Sequence, residues 1–205
     1  MQSARHLRLI AEHQTALTAC TRCADMHKPV VVCGPVLSPV LLVGQAPGDK
    51  EPALGRPFAW TAGRQLFKWF EPVGLAEAEF RARVYMAAVC RCFPGKNPKG
   101  GDRVPAPDEI ANCRPWLDRE IELLRPDLIL AVGRLAIEQF LPPRPLVEQV
   151  GVKHRVTRGN RKIDLIPLPH PSGRSTWLIR EENRARLDQA LGLISASGGW
   201  KATFG

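Results

Sequence analysis

Apolar residues along this chain fall into short unbroken runs separated by stretches of helical spacing. Pro39-Val-Leu-Leu-Val-Gly44, Val84-Tyr-Met-Ala-Ala-Val89 and Asp127-Leu-Ile-Leu-Ala-Val-Gly133 show no polar alternation. That is the pattern of strands buried on both faces of a parallel sheet. Residues 152–156 and 162–168 predict two more strands joined by the basic turn Arg158-Gly-Asn-Arg161, and Val30-Val-Val-Cys33 is a shorter apolar run. Residues 3–19 set Leu7, Leu9, Ile10, Ala16 and Leu17 on one rough helical face. A helix with Thr61 as N-cap, running to about residue 72, turns Leu66, Phe67 and Phe70 inward. Further helices are predicted over 108–124, opened by proline and acidic residues, and over 134–141 and 183–194. Strands alternating with helices imply an α/β fold whose mainly parallel sheet is covered on both faces, in three layers. Ligands in such folds bind in loops leaving the carboxyl ends of the strands, here 44–55, 90–107 and 170–177.

The length, 205 residues, suits one such domain spanning 1–205. Residues 1–25 supply its N-terminal helix and first cysteines, and 195–205 reads as a loose tail. With 29 Lys+Arg against 20 Asp+Glu, the formal charge is +9. That surplus suits a polyanionic partner, because cationic side chains displace the counterions condensed on phosphates. No run approaches the roughly 18 apolar residues of a membrane span, and the first residues lack an apolar secretory core. The expectation is a cytoplasmic monomer without a membrane partner, in which the six cysteines are thiols or metal ligands rather than disulfides.

Cys20-Thr-Arg-Cys23 brings two sulfurs onto one turn, as tetrahedral metal or cluster binding requires. Cys92 and Cys113 flank a Pro/Gly-rich loop and are the expected second pair, with Cys90 competing with Cys92. Cys33 reads as a buried thiol inside its apolar run. Spacing alone leaves zinc and an iron–sulfur cluster both open. Gly44-Gln-Ala-Pro-Gly48 lets the backbone approach a ligand closely with N–H groups free to donate. It lacks the Gly-Lys-Ser/Thr ending of a phosphate-binding loop, so no nucleotide cofactor is expected. Asp49 and Glu51 add carboxylates at its mouth, and Gly55-Arg-Pro-Phe58 presents an aromatic ring on a constrained turn.

Taken together, Gly44-Gln-Ala-Pro-Gly48, Gly55-Arg-Pro-Phe58 and Ala62-Gly63 resemble the first motif of the iron–sulfur uracil-DNA glycosylases, families four and five. Cys92, Pro105-Ala-Pro-Asp-Glu-Ile110 and Cys113-Arg-Pro-Trp-Leu117 resemble their central segment, and His170-Pro-Ser172 their second catalytic motif. The order and spacing agree from about Cys20 to about Ala190. The resemblance implies a four-stranded parallel sheet between helices and a [4Fe–4S] cluster on Cys20, Cys23, Cys92 and Cys113, with Cys90 a bystander. It also implies extrusion of uracil from DNA and cleavage of its bond to the sugar, as a step of base excision repair. In that reading Phe58 stacks on the base, and His170 and backbone N–H groups around Gly44, Gln45, Ala46 and Gly48 stabilise the departing anion. Gln45, Asp49 or Glu51 positions the water, Ser172 borders the base, and Arg174 or a neighbour wedges the duplex. Lys96, Lys99, Arg103, Lys153, Arg155, Arg158, Arg161 and Lys162 are the expected phosphate contacts. A lyase step is not expected, so the enzyme is monofunctional.

Two positions depart from the pattern. Family four carries glutamate where this chain has Gln45, and asparagine, the reader of the uracil edge, where it has Ala88. Family five also lacks that asparagine and accepts a broader set of deaminated bases, so the chain reads as intermediate between the two. The same departures feed a rival reading, an iron–sulfur DNA-binding protein that keeps the fold without the catalysis. A zinc-stabilised interaction protein is the second rival.

Overall fold

The computed structural model describes residues 2–172 and 176–205. In chain order the elements are α1 (Gln2–Thr18), β1 (Val40–Gly44), α2 (Glu51–Leu54), α3 (Thr61–Lys68), α4 (Glu77–Arg83), β2 (Tyr85–Ala88), α5 (Pro107–Leu124) and β3 (Leu128–Val132). They continue with α6 (Arg134–Glu138), α7 (Leu146–Gln149), β4 (His154–Arg158), β5 (Arg161–Leu168), α8 (Glu181–Ala196) and α9 (Gly198–Phe204). The strands form one sheet in the order β2-β1-β3-β5-β4. The first four are parallel, with Leu42 opposite Met86 and Leu130, and Ile129 opposite Leu165. β4 runs antiparallel on the edge, His154 facing Leu165 and Arg158 facing Arg161. The sheet therefore has five strands, not the four that the resemblance implied. The four correspond to the parallel core, and the short turn at Gly159, with φ +57°, folds 154–158 back as an added edge.

Alternate residues of each strand face opposite layers, as the pleat requires. Leu41, Val43, Tyr85, Ala87, Ile129 and Leu165 pack with Ile10, Leu117, Ile121 and Ile137 from α1, α5 and α6. Val40, Leu42, Met86, Leu130 and Ile166 pack with Leu66, Phe67, Phe80, Leu187 and Trp200 from α3, α4, α8 and α9. Both faces are covered, which is why these strands read as continuous apolar runs.

Local details differ from the expectations. Trp60, not Thr61, precedes the first helical residue of α3, and no side chain caps that end. The helix stops at Lys68 and a tighter turn over Glu71–Val73 follows. The tail is not loose. Ser197 accepts the Trp200 N–H and opens α9, whose Trp200 stacks on Phe70 at 5.4 Å between ring centres. That packing is tertiary and left no periodic trace in the sequence. No helix among the described residues is long and apolar enough to cross a membrane.

Candidate active site

Because β1 has β2 on one side and β3 on the other, the chain reverses its direction of travel across the sheet at β1, the place where α/β folds open a crevice. A cavity of roughly 640 Å³ opens there, bordered by Gly44 at the end of β1, Ala88 at the end of β2 and Val132 at the end of β3. The loop after β5 adds His170 and Ser172. The turn of Gln45, Ala46, Gly48, Asp49 and Glu51 forms one flank and Phe58 a wall. The sequence-derived site residues thus come together, except Arg174, which lies outside the described residues.

The wall is built by two glycines and an arginine. A Cβ on Gly44 would stand 2.8 Å from Phe58 Cζ, so the ring lies directly over the strand end. A Cβ on Gly63 would sit 1.7 Å from the Phe58 carbonyl oxygen, so only glycine lets α3 begin beneath that loop. Phe58 has φ +52°, a strained value for an aromatic residue. The Arg81 guanidinium holds it there, donating to the carbonyls of Pro57 at 2.8 Å and Phe58 at 2.7 Å.

His170 lines the same cavity from the loop after β5. Its Nδ1 accepts the Ser172 N–H at 3.2 Å, which assigns the neutral tautomer that carries its proton on Nε2. Burial lowers the imidazole pKa and the charge of Asp102 acts in the opposite sense; burial prevails. Gly133, φ +85°, is where β3 passes the ring: a Cβ there would lie 3.1 Å from His170 Cδ2. One cavity thus holds both a neutral N–H donor and an aromatic ring.

The carboxylates divide by environment. Glu51 is 7 % exposed, and its carboxyl receives backbone N–H groups of Phe58, Gly48 and Ala59. Burial outweighs those bonds and pushes it up to about 7. Folded protein thus keeps this proton to a higher pH than unfolded chain, whose ordinary value is 4.5. The resulting stability is fully present below about 4.5 and is lost as pH rises through about 7, by about 3 kcal/mol. Glu51→Gln, which cannot ionise, is expected to melt several degrees above the parent at pH 8.5 and with it at pH 5. An offset that does not change between those pH values would contradict this account. Asp49 pairs through Oδ2 with Lys96 at 3.1 Å and Lys50 at 3.8 Å.

Residues that the sequence reading did not assign to the pocket also border it, among them Trp60, Arg91, Asp102 and Lys96, the last expected only as a phosphate contact. Trp60 is 44 % exposed at the rim with the Arg64 guanidinium 5.3 Å from its ring centre. Its one visible signal was an aromatic residue between a constrained turn and a helix start. Arg91 is buried, donates from Nε to the Ala88 carbonyl at 2.9 Å and pairs with Glu120. Other expected phosphate contacts are placed differently. Arg158, Arg161 and Lys162 sit where β5 begins, the end of the sheet opposite the pocket, and Arg161 pairs with Asp127 at 2.6 Å. Lys153 and Arg155 both pair with Asp164, and Arg103 chelates Glu109.

Cys20, Cys23, Cys92 and Cys113 border a second, small cavity ringed by Arg22, Lys28 and Arg91. Asn112 ties the cysteine turn to α5, donating to the Arg22 carbonyl at 3.4 Å and lying 3.7 Å from Cys23 Sγ. Val31 N–H donates to the Arg91 carbonyl at 2.8 Å and fastens the next segment to the loop carrying Cys92. Burial first and neighbouring thiolates second raise Cys23 and push Cys92 up to about 11. Cys90, fully buried, donates to Cys113 and pulls it down to about 6. Among the described residues no three His, Cys, Asp or Glu side chains converge on a point that could hold a single metal ion. The four cysteines border one small cavity instead, and thiols that oppose one another's ionisation fit a group that brings positive charge of its own. Cys33 borders neither cavity; it lies beside Gln14 and burial pushes it up to about 11.

A crevice at the carboxyl ends of a parallel sheet, with an aromatic wall and a neutral imidazole donor, defines an α/β protein with a ligand-binding cleft of the kind this architecture opens there. The chain belongs to the Uracil DNA glycosylase superfamily, whose family model matches residues 32–192. It is 30% identical over 178 residues to a Type-4 uracil-DNA glycosylase of Thermotoga maritima, covering 86% of this chain and 85% of that one. A Type-4 uracil-DNA glycosylase of Archaeoglobus fulgidus is 30% identical over 165 residues, 76% of this chain and 78% of its own. A Type-5 uracil-DNA glycosylase of Pyrobaculum aerophilum is 32% identical over 123 residues, 53% of this chain and 50% of its own.

Proposed function

We propose that this protein excises uracil from DNA, hydrolysing the N-glycosidic bond and leaving an abasic site, as a monofunctional enzyme of base excision repair. The observation that carries this reading is that Phe58 and His170 line one crevice, an aromatic ring and an imidazole N–H donor within the same cavity. As the bond breaks, negative charge gathers on the uracil oxygens and positive charge on the sugar. The Nε2–H of neutral His170 meets the former without a proton having to change owner, and backbone N–H groups of the Gln45–Gly48 turn add to it. Ala88 offers no side-chain amide to read the base edge, so hypoxanthine and ethenocytosine are accepted besides uracil. Cys20, Cys23, Cys92 and Cys113 hold a [4Fe–4S] cluster, which supplies a covalent staple between the N-terminal turn and α5 rather than reaction chemistry.

The test is incubation of the purified protein with oligonucleotides carrying one uracil, hypoxanthine or ethenocytosine, followed by alkali. Cleavage at uracil and, more slowly, at the other two is expected. No abasic site at enzyme excess would favour the non-catalytic DNA-binding reading, and strict cleavage at uracil alone would remove the broader range. Freshly purified protein is expected to show broad visible absorbance, and a colourless zinc-loaded sample would remove the cluster.

A further inference from the structure

Gln45 leaves the first-strand turn without the acid that family four carries there, and three carboxylates lie near it, two of which, Asp49 and Asp102, share Lys96. Glu51 is buried under its own loop and occupied by backbone N–H groups. Asp49 faces Lys50 and Lys96. A third carboxylate, Asp102, enters the pocket from the loop between β2 and α5.

That loop is folded back on itself. Gly100 N–H donates to the Asn97 carbonyl at 2.8 Å, Asn97 N–H to the Gly101 carbonyl at 2.8 Å and Arg103 N–H to the Gly95 carbonyl at 2.9 Å. Lys96 and Asp102 pair across it as an antiparallel bridge. Gly95, Gly100 and Gly101 have φ of +98°, +91° and +81°, a path open to glycine. The double glycine thereby turns Asp102 toward the crevice. Its Oδ1 accepts from Lys96 Nζ at 2.8 Å. Its Oδ2 lies against the first-strand turn, 3.3 Å from where a Cβ on residue 48 would stand, which gives Gly48 a reason to be glycine. Across the pocket its charge reaches His170. Among the acids named here, that coupling belongs to Asp102 alone.

We propose that Asp102 is a catalytic carboxylate of this site, holding the attacking water through Oδ2 and lending its charge to the sugar cation in place of an acid at position 45. This rests on the uracil-excision reading. The C1′–N1 bond breaks with its electron pair going to the base, whose anion His170 Nε2–H stabilises. The water oxygen bonds to C1′, its proton passes to Asp102 and on to solvent, and the uracil anion takes up a proton from solvent. No oxidant or further reactant is needed. An anion facing the sugar from the protein side acts where positive charge develops, the arrangement in which fixed charges accelerate most.

Single-turnover excision of a uracil oligonucleotide by the parent protein, Asp102→Asn and the double variant Gln45→Glu/Asp102→Asn tests this. Asp102→Asn is expected to lower the rate about a hundredfold, with melting temperature and affinity for abasic-site DNA unchanged. Restoring an acid at position 45 in that background is expected to recover about tenfold or more of the loss. The assignment is overturned if Asp102→Asn cleaves within about threefold of the parent, if the loss tracks melting temperature or DNA affinity, or if Gln45→Glu restores nothing. A parent protein inactive on uracil would instead sink the excision reading itself, whereas activity retained in both parent and Asp102→Asn sinks only the role of Asp102.

Discussion

Replacing His170 with alanine is expected to lower single-turnover uracil excision by about a hundred- to a thousandfold while leaving DNA affinity nearly unchanged, the magnitude typical of a removed oxyanion donor. The reason is the timing of charge. In the bound substrate the uracil carbonyl is a weak acceptor, so the Nε2–H contributes little to binding. In the transition state that oxygen carries much of an electron, in a crevice where water no longer screens it. The ring is already placed: Ser172 N–H on Nδ1 fixes tautomer and orientation, and Gly133 leaves the room it occupies. His170→Gln, which keeps an N–H donor on a flexible stem, is expected to recover part of the rate. Equal loss of rate and affinity would assign His170 to ground-state binding, and unchanged turnover would move the leaving-group role elsewhere.

The pocket's contributors differ in how they can be found from sequence. Gly44 and His170 were legible because each sits at or just after a buried strand, and unbroken apolar runs such as Leu128–Val132 announce strand ends directly, whereas Phe58 stood out through its constrained Gly55-Arg-Pro turn. Whether a loop lies at the pocket end depends on strand direction, which apolar runs do not encode. Hence the sequence did not show where Arg158 and Arg161 lie: β4 is antiparallel, so its turn to β5 falls at the far end of the sheet. Glu51 looked like a mouth-lining acid because nothing local shows that the backbone of Phe58 and Ala59, seven and eight residues on, folds over it. Asp102 was invisible for the complementary reason. Its path is set by hydrogen bonds within 95–103, and its partner His170 lies 68 residues further along the chain. The cysteine set was readable as a pair and two flanking singles. What the sequence did not show is that Arg91 stands between the two cavities.

That position makes Glu120 the most consequential residue remote from the crevice. Glu120 and Arg91 are 1 % and 2 % exposed, and they pair in the layer between sheet and α5. Tyr85 Oη donates to Glu120 Oε1 at 2.7 Å and Gln14 Nε2 to Tyr85 Oη at 3.0 Å, so the pair is enclosed in a bonded network. His13, lowered to about 4 by burial and the nearby arginine charges, stays neutral beside it. Removing one member of such a pair leaves a buried charge uncompensated, at a cost of about 3–5 kcal/mol. For a chain of this length Glu120→Ala is therefore expected to lower the melting temperature by about 10 °C. Arg91→Met/Glu120→Leu, which removes both charges and keeps volume, is expected to be markedly more stable than the single variant. The two differ in a second respect as well. Arg91 holds the Ala88 carbonyl at the floor of the base pocket and borders the cysteine cavity, so the double variant loses that brace while regaining stability. It is expected to fold well yet excise uracil more slowly than the parent. A double variant as unstable as Glu120→Ala would show that shape, not charge, dominates this layer, and one with parental rate would show that the Ala88 carbonyl needs no brace.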